Sequence, residues 1–164
     1  MKITDLFDED DWGEYKRLSS VESKRLYLQK YVKKNFRALV LVLGYNDIGY
    51  FHKDEIERIG EVRKLKDETI RRLFLWSRGF FKTSIITVSH SIFLIINNID
   101  IRILLVSNTI DIAKKILDEV KSHFITNDVF RFIFREYCPV ANEAGKIEFG
   151  TTEEFIIPNR ARKN

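Results

Sequence analysis

One cysteine, Cys138, stands among 164 residues, so no internal disulfide can form and a reducing, cytosolic setting is the default. Residues 1–11 are acidic and lack the basic-then-apolar order of a signal peptide. No apolar run is long enough to span a bilayer. The most apolar one, residues 85–96, is interrupted by Thr87, Ser89, His90 and Ser91 and reads as buried core. His52, His90 and His123 are far apart, with no cysteine or acid at ligand spacing, which argues for core or surface roles over a metal site. Ser77 and Ser84 have no His–Asp set that would make either a nucleophile, and Cys138 has no histidine partner. Internal repeats, low-complexity stretches and clear linkers are also missing.

What is present fits one globular domain. Hydrophobic residues make up 45%, enough for a real core. Lysine and arginine total 28 against 24 acids, a net charge of +4 that permits a phosphate-bearing partner without demanding one. The first third reads as helical. Val21, Leu28, Tyr31 and Val32 mark an apolar side over 20–36, with Ser20 and Ser23 as capping oxygens. Residues 38–43 are ambiguous between helix end and strand, 44–49 form a turn, and 53–68 return to a charged helix.

The pattern then changes. Residues 72–76 are a strand candidate, 82–96 a buried helix by length, and 101–106 (Ile-Arg-Ile-Leu-Leu-Val) the best strand. Asn108 or Thr109 caps a helix reaching about Phe124, and two short strand candidates, 146–149 and 154–157, flank a Gly-Thr-Thr turn. Strand and helix in alternation predict an α/β fold with a parallel sheet. The phenylalanines between Phe124 and Phe134 suit core packing better than a base-stacking surface. Arg160, Arg162 and Lys163 form a basic end.

Between the first strand candidate and the buried helix lies Ser77-Arg78-Gly79-Phe80-Phe81-Lys82-Thr83-Ser84. A polyphosphate is held by backbone N–H groups at a helix start, a lysine on the terminal phosphates and a hydroxyl on the magnesium. Lys82 and Thr83 stand in the required order. The two glycines of G-x-x-x-x-G-K-[ST] would fall at Trp76 and Phe81, and neither is glycine. On the motif alone, a plain strand-to-helix turn is an equal reading.

With its neighbours, this loop resembles that of the large terminase subunit of tailed phages, the ATP-driven motor that packages DNA. Leu41-Val42-Leu43-Gly44-Tyr45 followed by Phe51-His52 is similar to the family's leader, and Arg78 to Thr83 to its deviant Walker A. Arg102 to Thr109, running into Ala113 and Leu117, is similar to the next strand and helix, and Glu153 to Arg160 to a later segment ending in arginine. The resemblance covers the chain from about Leu41 onward. It implies a P-loop NTPase-type sheet behind a helical leader, with residues 1–69 as leader and 70–164 as a partial ATPase core. It further implies that Lys82 binds the β and γ phosphates of ATP and Thr83 the Mg²⁺, while Arg78 acts on the γ-phosphate as the catalytic arginine. Gly79, Phe80 and Phe81 would give backbone donors, with Ser77 and Ser84 at the loop's ends. The implied partners are double-stranded DNA, the portal, the small terminase subunit and further copies in a ring, with no membrane, in the cytoplasm of the infected bacterial host.

Phosphoryl transfer also needs a carboxylate at a second strand end, and no apolar run after the loop ends in paired acids. Nor is there a spaced acidic cluster for a two-metal nuclease. The expectation is therefore an N-terminal piece with an incomplete sheet that turns over little or no ATP alone. A helicase-like P-loop ATPase fragment and a non-catalytic nucleic-acid-binding adaptor are the competing readings.

Overall fold

A computed structural model describes residues 3–7, 9–46, 50–60, 73–75, 79, 81–143, 145, 147 and 149–158. Among the described residues the chain is helical, and no strand occurs. A 3₁₀ turn, Ile3–Leu6, leads to α1 (Glu9–Arg17), α2 (Val21–Lys34), α3 (Phe36–Val42) and α4 (Tyr50–Gly60). A π-helix, Thr83–Ser89, runs directly into α5 (His90–Asn97). Then follow α6 (Ile110–Thr126), α7 (Asp128–Ile133) and a 3₁₀ turn, Arg135–Tyr137.

Polar residues set the helix ends as the sequence predicts. The Ser20 hydroxyl accepts from Ser23 N at 3.0 Å, and Thr109 Oγ1 accepts from Ile112 N at 3.4 Å; such caps contribute about 1 kcal/mol each. Two asparagines serve as joints. Asn35 ends α2 by donating its backbone N–H to Tyr31 O, then caps α3 through Oδ1 accepting from Ala38 N. Asn127 stands between α6 and α7 and caps α7, with Oδ1 accepting from Phe130 N at 2.9 Å.

The core gathers around α3. Phe36, Ala38, Leu39, Val40, Leu41 and Val42 are all buried there, with α2 and α4 packed against this short helix. A helix apolar on every side carries no 3.6-residue stripe, which is why 38–43 read ambiguously as sequence. Phe93 packs on Phe36 at 5.1 Å between ring centroids, and Phe124, Phe130 and Phe134 are fully buried. Arg25 is buried too. Its guanidinium donates to Glu22 at 2.8 Å and to the Ile133 carbonyl at 3.1 Å, and it pairs with Glu136, tying α2 to the end of α7. Glu136 also accepts from Gln29.

The expected α/β fold with its P-loop NTPase-type sheet is overturned, because the described residues are helical and form no sheet. Residues 101–107 adopt no regular secondary structure, and Leu104 and Val106 are 86% and 81% exposed. Residues 73–75 are likewise irregular, with Leu73 81% exposed. At 149–155 the chain makes a tight loop instead of a hairpin. Thr151 N donates to Glu154 O at 2.8 Å, while Phe149 and Phe155 stack at 4.8 Å over Phe124. The apolar runs have strand-like side chains, yet strand formation depends on a paired neighbour, and a sequence pattern does not supply one. No helix among the described residues is long and apolar enough to cross a membrane.

Candidate functional site

Five of the eight loop residues singled out from sequence are described, and they cluster at the head of the π-helix. Ser77, Arg78 and Phe80 lie outside the described residues. Gly79 takes φ 88° and Phe81 takes φ 51°, both left-handed. A glycine adopts this region freely, whereas a phenylalanine there is strained. Lys82 follows as the N-cap residue with no side-chain cap, and Lys82 and Thr83 are both exposed. The first turn closes with Ile85 N donating to Phe81 O at 2.9 Å. The helix start therefore presents uncapped backbone N–H groups, a lysine and a hydroxyl to solvent, behind a left-handed turn. The Phe81 ring meets the buried His52 edge-on, at 6.3 Å between centroids.

One residue further on, Ser84 touches a polar cluster that sequence reading missed. The Tyr45 hydroxyl donates to Glu119 Oε1 at 2.6 Å and lies 3.2 Å from His123 Nε2, with the Ser84 hydroxyl also directed at the Tyr45 oxygen. Because the single Tyr45 proton goes to Glu119, the contact with His123 requires Nε2–H to donate. His123 Nδ1 then accepts from Asn127 Nδ2 at 3.3 Å, and that amide also donates to Val42 O at 3.2 Å. This assignment leaves His123 neutral, in line with burial, which lowers its pKa against the opposing pull of Glu119. Burial, followed by the Glu119 hydrogen bond, raises the Tyr45 pKa. Glu119, His123 and Asn127 recur every fourth residue on one face of α6, and that polar spacing was the legible signal.

Among the described residues no group of three His, Cys, Asp or Glu side chains is placed to hold a metal ion. The residues at 82–84 fit the phosphate side of a nucleotide. A Mg²⁺ would reach Thr83 with the nucleotide rather than through protein carboxylates. Cys138 is buried, and burial pushes its thiol up to about 11, which rules out a reactive thiolate at neutral pH. No family model, curated protein or solved structure matches this chain.

Proposed function

We propose that this chain grips the polyphosphate of Mg·ATP at Gly79–Ser84, as the phosphate-binding part of a terminase-like DNA-packaging motor. One observation carries the reading. A bulky residue, Phe81, is held at φ 51° immediately before an exposed Lys82 and Thr83 at an uncapped helix start. Strain of this kind persists where the surroundings impose it, and it concentrates at ligand clamps. A left-handed Phe81 followed by a right-handed Lys82 makes a turn of the kind whose N–H groups can gather around an anion. Lys82 would meet the β and γ phosphates and Thr83 the magnesium, as the terminase resemblance implies. That resemblance also supplies the wider setting of the proposal. Double-stranded DNA, the portal, the small terminase subunit and a ring of copies are the partners, in the host cytoplasm.

The test is equilibrium binding of Mg·ATP to the purified chain, with hydrogen exchange at the amides of residues 82–84. The expected outcome is protection of those amides and at least about tenfold weaker binding in Lys82→Ala, the loss of a charge-assisted contact. Binding that survives Lys82→Ala unchanged sinks the proposal. Absence of any protection favours the non-catalytic adaptor reading. Little or no ATP turnover is expected from residues 1–164 alone, because no apolar run after the loop ends in paired acids; appreciable turnover abolished by Lys82→Ala would contradict that.

A further inference from the structure

In α5 and α6, side chains that donate back into their own helix reach a carbonyl three or four residues before them. Ser122 Oγ meets Glu119 O at 2.7 Å, Thr126 Oγ1 meets Ser122 O at 2.9 Å, and Asn97 Nδ2 meets Phe93 O at 2.9 Å. Ser89, the last residue of the π-helix, departs from them. Its hydroxyl donates to Ser84 O at 2.7 Å, five residues back. That carbonyl comes within reach because the turn between the two residues is wide. Ser89 is fully buried, so water cannot replace Ser84 as its acceptor. The backbone brackets the wide turn. Ahead of it Ile85 N donates four residues back to Phe81 O, and at its end His90 N donates five back to Ile85 O. By the end of α5 the four-residue step has returned, with Asn98 N donating to Leu94 O.

We infer that Ser89 is a positioning residue for the Gly79–Ser84 grip, its hydroxyl fixing the wide register that aims Lys82 and Thr83. The role in ligand binding rests on the phosphate-binding reading; the hold on the register does not. The α turn is the default for a helical run, and a π turn persists where something specific retains it. Play is confined to one end of this helix. Ser91, Ile92, Phe93, Ile95 and Ile96 seat α5 in the core, whereas Lys82 and Thr83 are exposed. An α-helix advances about 100° per residue and a wider turn less, so rewinding 83–89 against a seated α5 rotates each residue by an amount that grows toward the head. Val88 moves least and Lys82 most. Ser84 is held from two sides, its carbonyl by Ser89 and its hydroxyl directed at the Tyr45 oxygen, which itself donates to Glu119. Thr83 and Lys82 are joined directly to that held residue. A bond beneath the surface thus sets where an exposed lysine and hydroxyl point.

The register can be read without nucleotide, from NMR couplings across backbone hydrogen bonds in the full chain. In the parent, His90 N should couple to the Ile85 carbonyl carbon. In Ser89→Ala that coupling should vanish and one to Ile86 appear, the four-residue step. Mg·ATP should then bind Ser89→Ala at least about tenfold more weakly than the parent, since a grip depends on close placement of its groups. Ser89→Thr keeps the hydroxyl and should restore both the Ile85 coupling and an affinity within about threefold of the parent. Urea unfolding of each variant identifies any that is not folded; Ser89→Ala only removes an atom and decides the matter if threonine is not accommodated. A coupling to Ile85 that persists in Ser89→Ala overturns the inference. Parent-like Mg·ATP affinity in Ser89→Ala, or a folded Ser89→Thr as weak as the alanine variant, overturns it as well. A parent chain that binds no Mg·ATP defeats the phosphate-binding reading and the role given to Ser89 in the grip, while the couplings still decide whether Ser89 sets the register.

Discussion

Tyr45 and Glu119, 74 residues apart in sequence, share a hydrogen bond of 2.6 Å that ties the end of α3 to the middle of α6. A short bond to a charged acceptor is worth more than a neutral one, and Glu119 is half-buried. Tyr45→Phe keeps the ring and removes the donor, so it should cost roughly 1–2 kcal/mol in urea unfolding. A double-mutant cycle with Glu119→Gln should return a coupling of about 1 kcal/mol. Additive single effects would show that the two side chains are merely adjacent.

His123 makes the fold sensitive to acid. Burial lowers its pKa below the ordinary 6.5, so below that pH the unfolded chain takes up the proton more readily than the folded one. Stability is complete above about pH 6.5 and declines as pH falls toward the folded value. Protonation would also set a new Nδ1–H against the Asn127 amide, a donor facing a donor. Tyr45, Glu119 and Asn127 are the groups that face the ring. The melting temperature should drop by roughly a few degrees from pH 7 to pH 5, and His123→Gln should flatten that slope. Glu22, held below its usual 4.5 by Arg25, titrates in a lower window and does not confuse the result.

Phe81 offers a direct measure of backbone strain. A left-handed conformation costs an L-residue roughly 1–2 kcal/mol, and glycine escapes this while losing more chain entropy. Phe81→Gly should leave stability unchanged or raise it by up to about 1 kcal/mol, the lost contact with His52 offsetting part of the gain. Phe81→Val, β-branched, should be about 1–2 kcal/mol less stable than Phe81→Gly in the same denaturant titration. If valine is tolerated as well as glycine, no strain resides at this position.

Gly150 is fixed by space as well as by dihedral. At φ 75°, a Cβ added there would sit 2.2 Å from Glu154 O and 2.6 Å from Phe155 Cα. Gly150→Ala must push the loop open and separate Phe155 from Phe149 and Phe124. A loss of more than about 2 kcal/mol is expected by thermal unfolding, whereas Gly13→Ala, in the middle of α1 with nothing within 4 Å, should raise stability by up to about 1 kcal/mol.

Helix ends were legible in the sequence because their causes are local. Ser20 and Thr109 cap the helices that their spacing foretold, and the length of 82–96 marked a buried helix correctly. The sheet was misread because a strand is a relation between two segments. Ile101 to Val106 has every side-chain feature of a strand, but its partner is a matter of tertiary placement. In the candidate site, Lys82 and Thr83 could be found from their order. Tyr45 could not be joined to Glu119 and His123, since contacts across 74 residues leave no trace in a single sequence. The left-handed Phe81 was foreshadowed only by the missing glycine at that place.

The π-helix at Thr83–Ser89 gives the chain slack. At its end His90 N donates back five residues to Ile85 O, where an α-helix would reach back four. Deleting one residue within 83–89 would let α-type bonds form while α5 keeps its seat in the core. Insertion would have no such reserve to draw on. Because seven residues in the wider π turns and six in the tighter α turns sweep nearly the same total angle, Lys82 and Thr83 would keep nearly the same direction while the loop is drawn in by one spare residue.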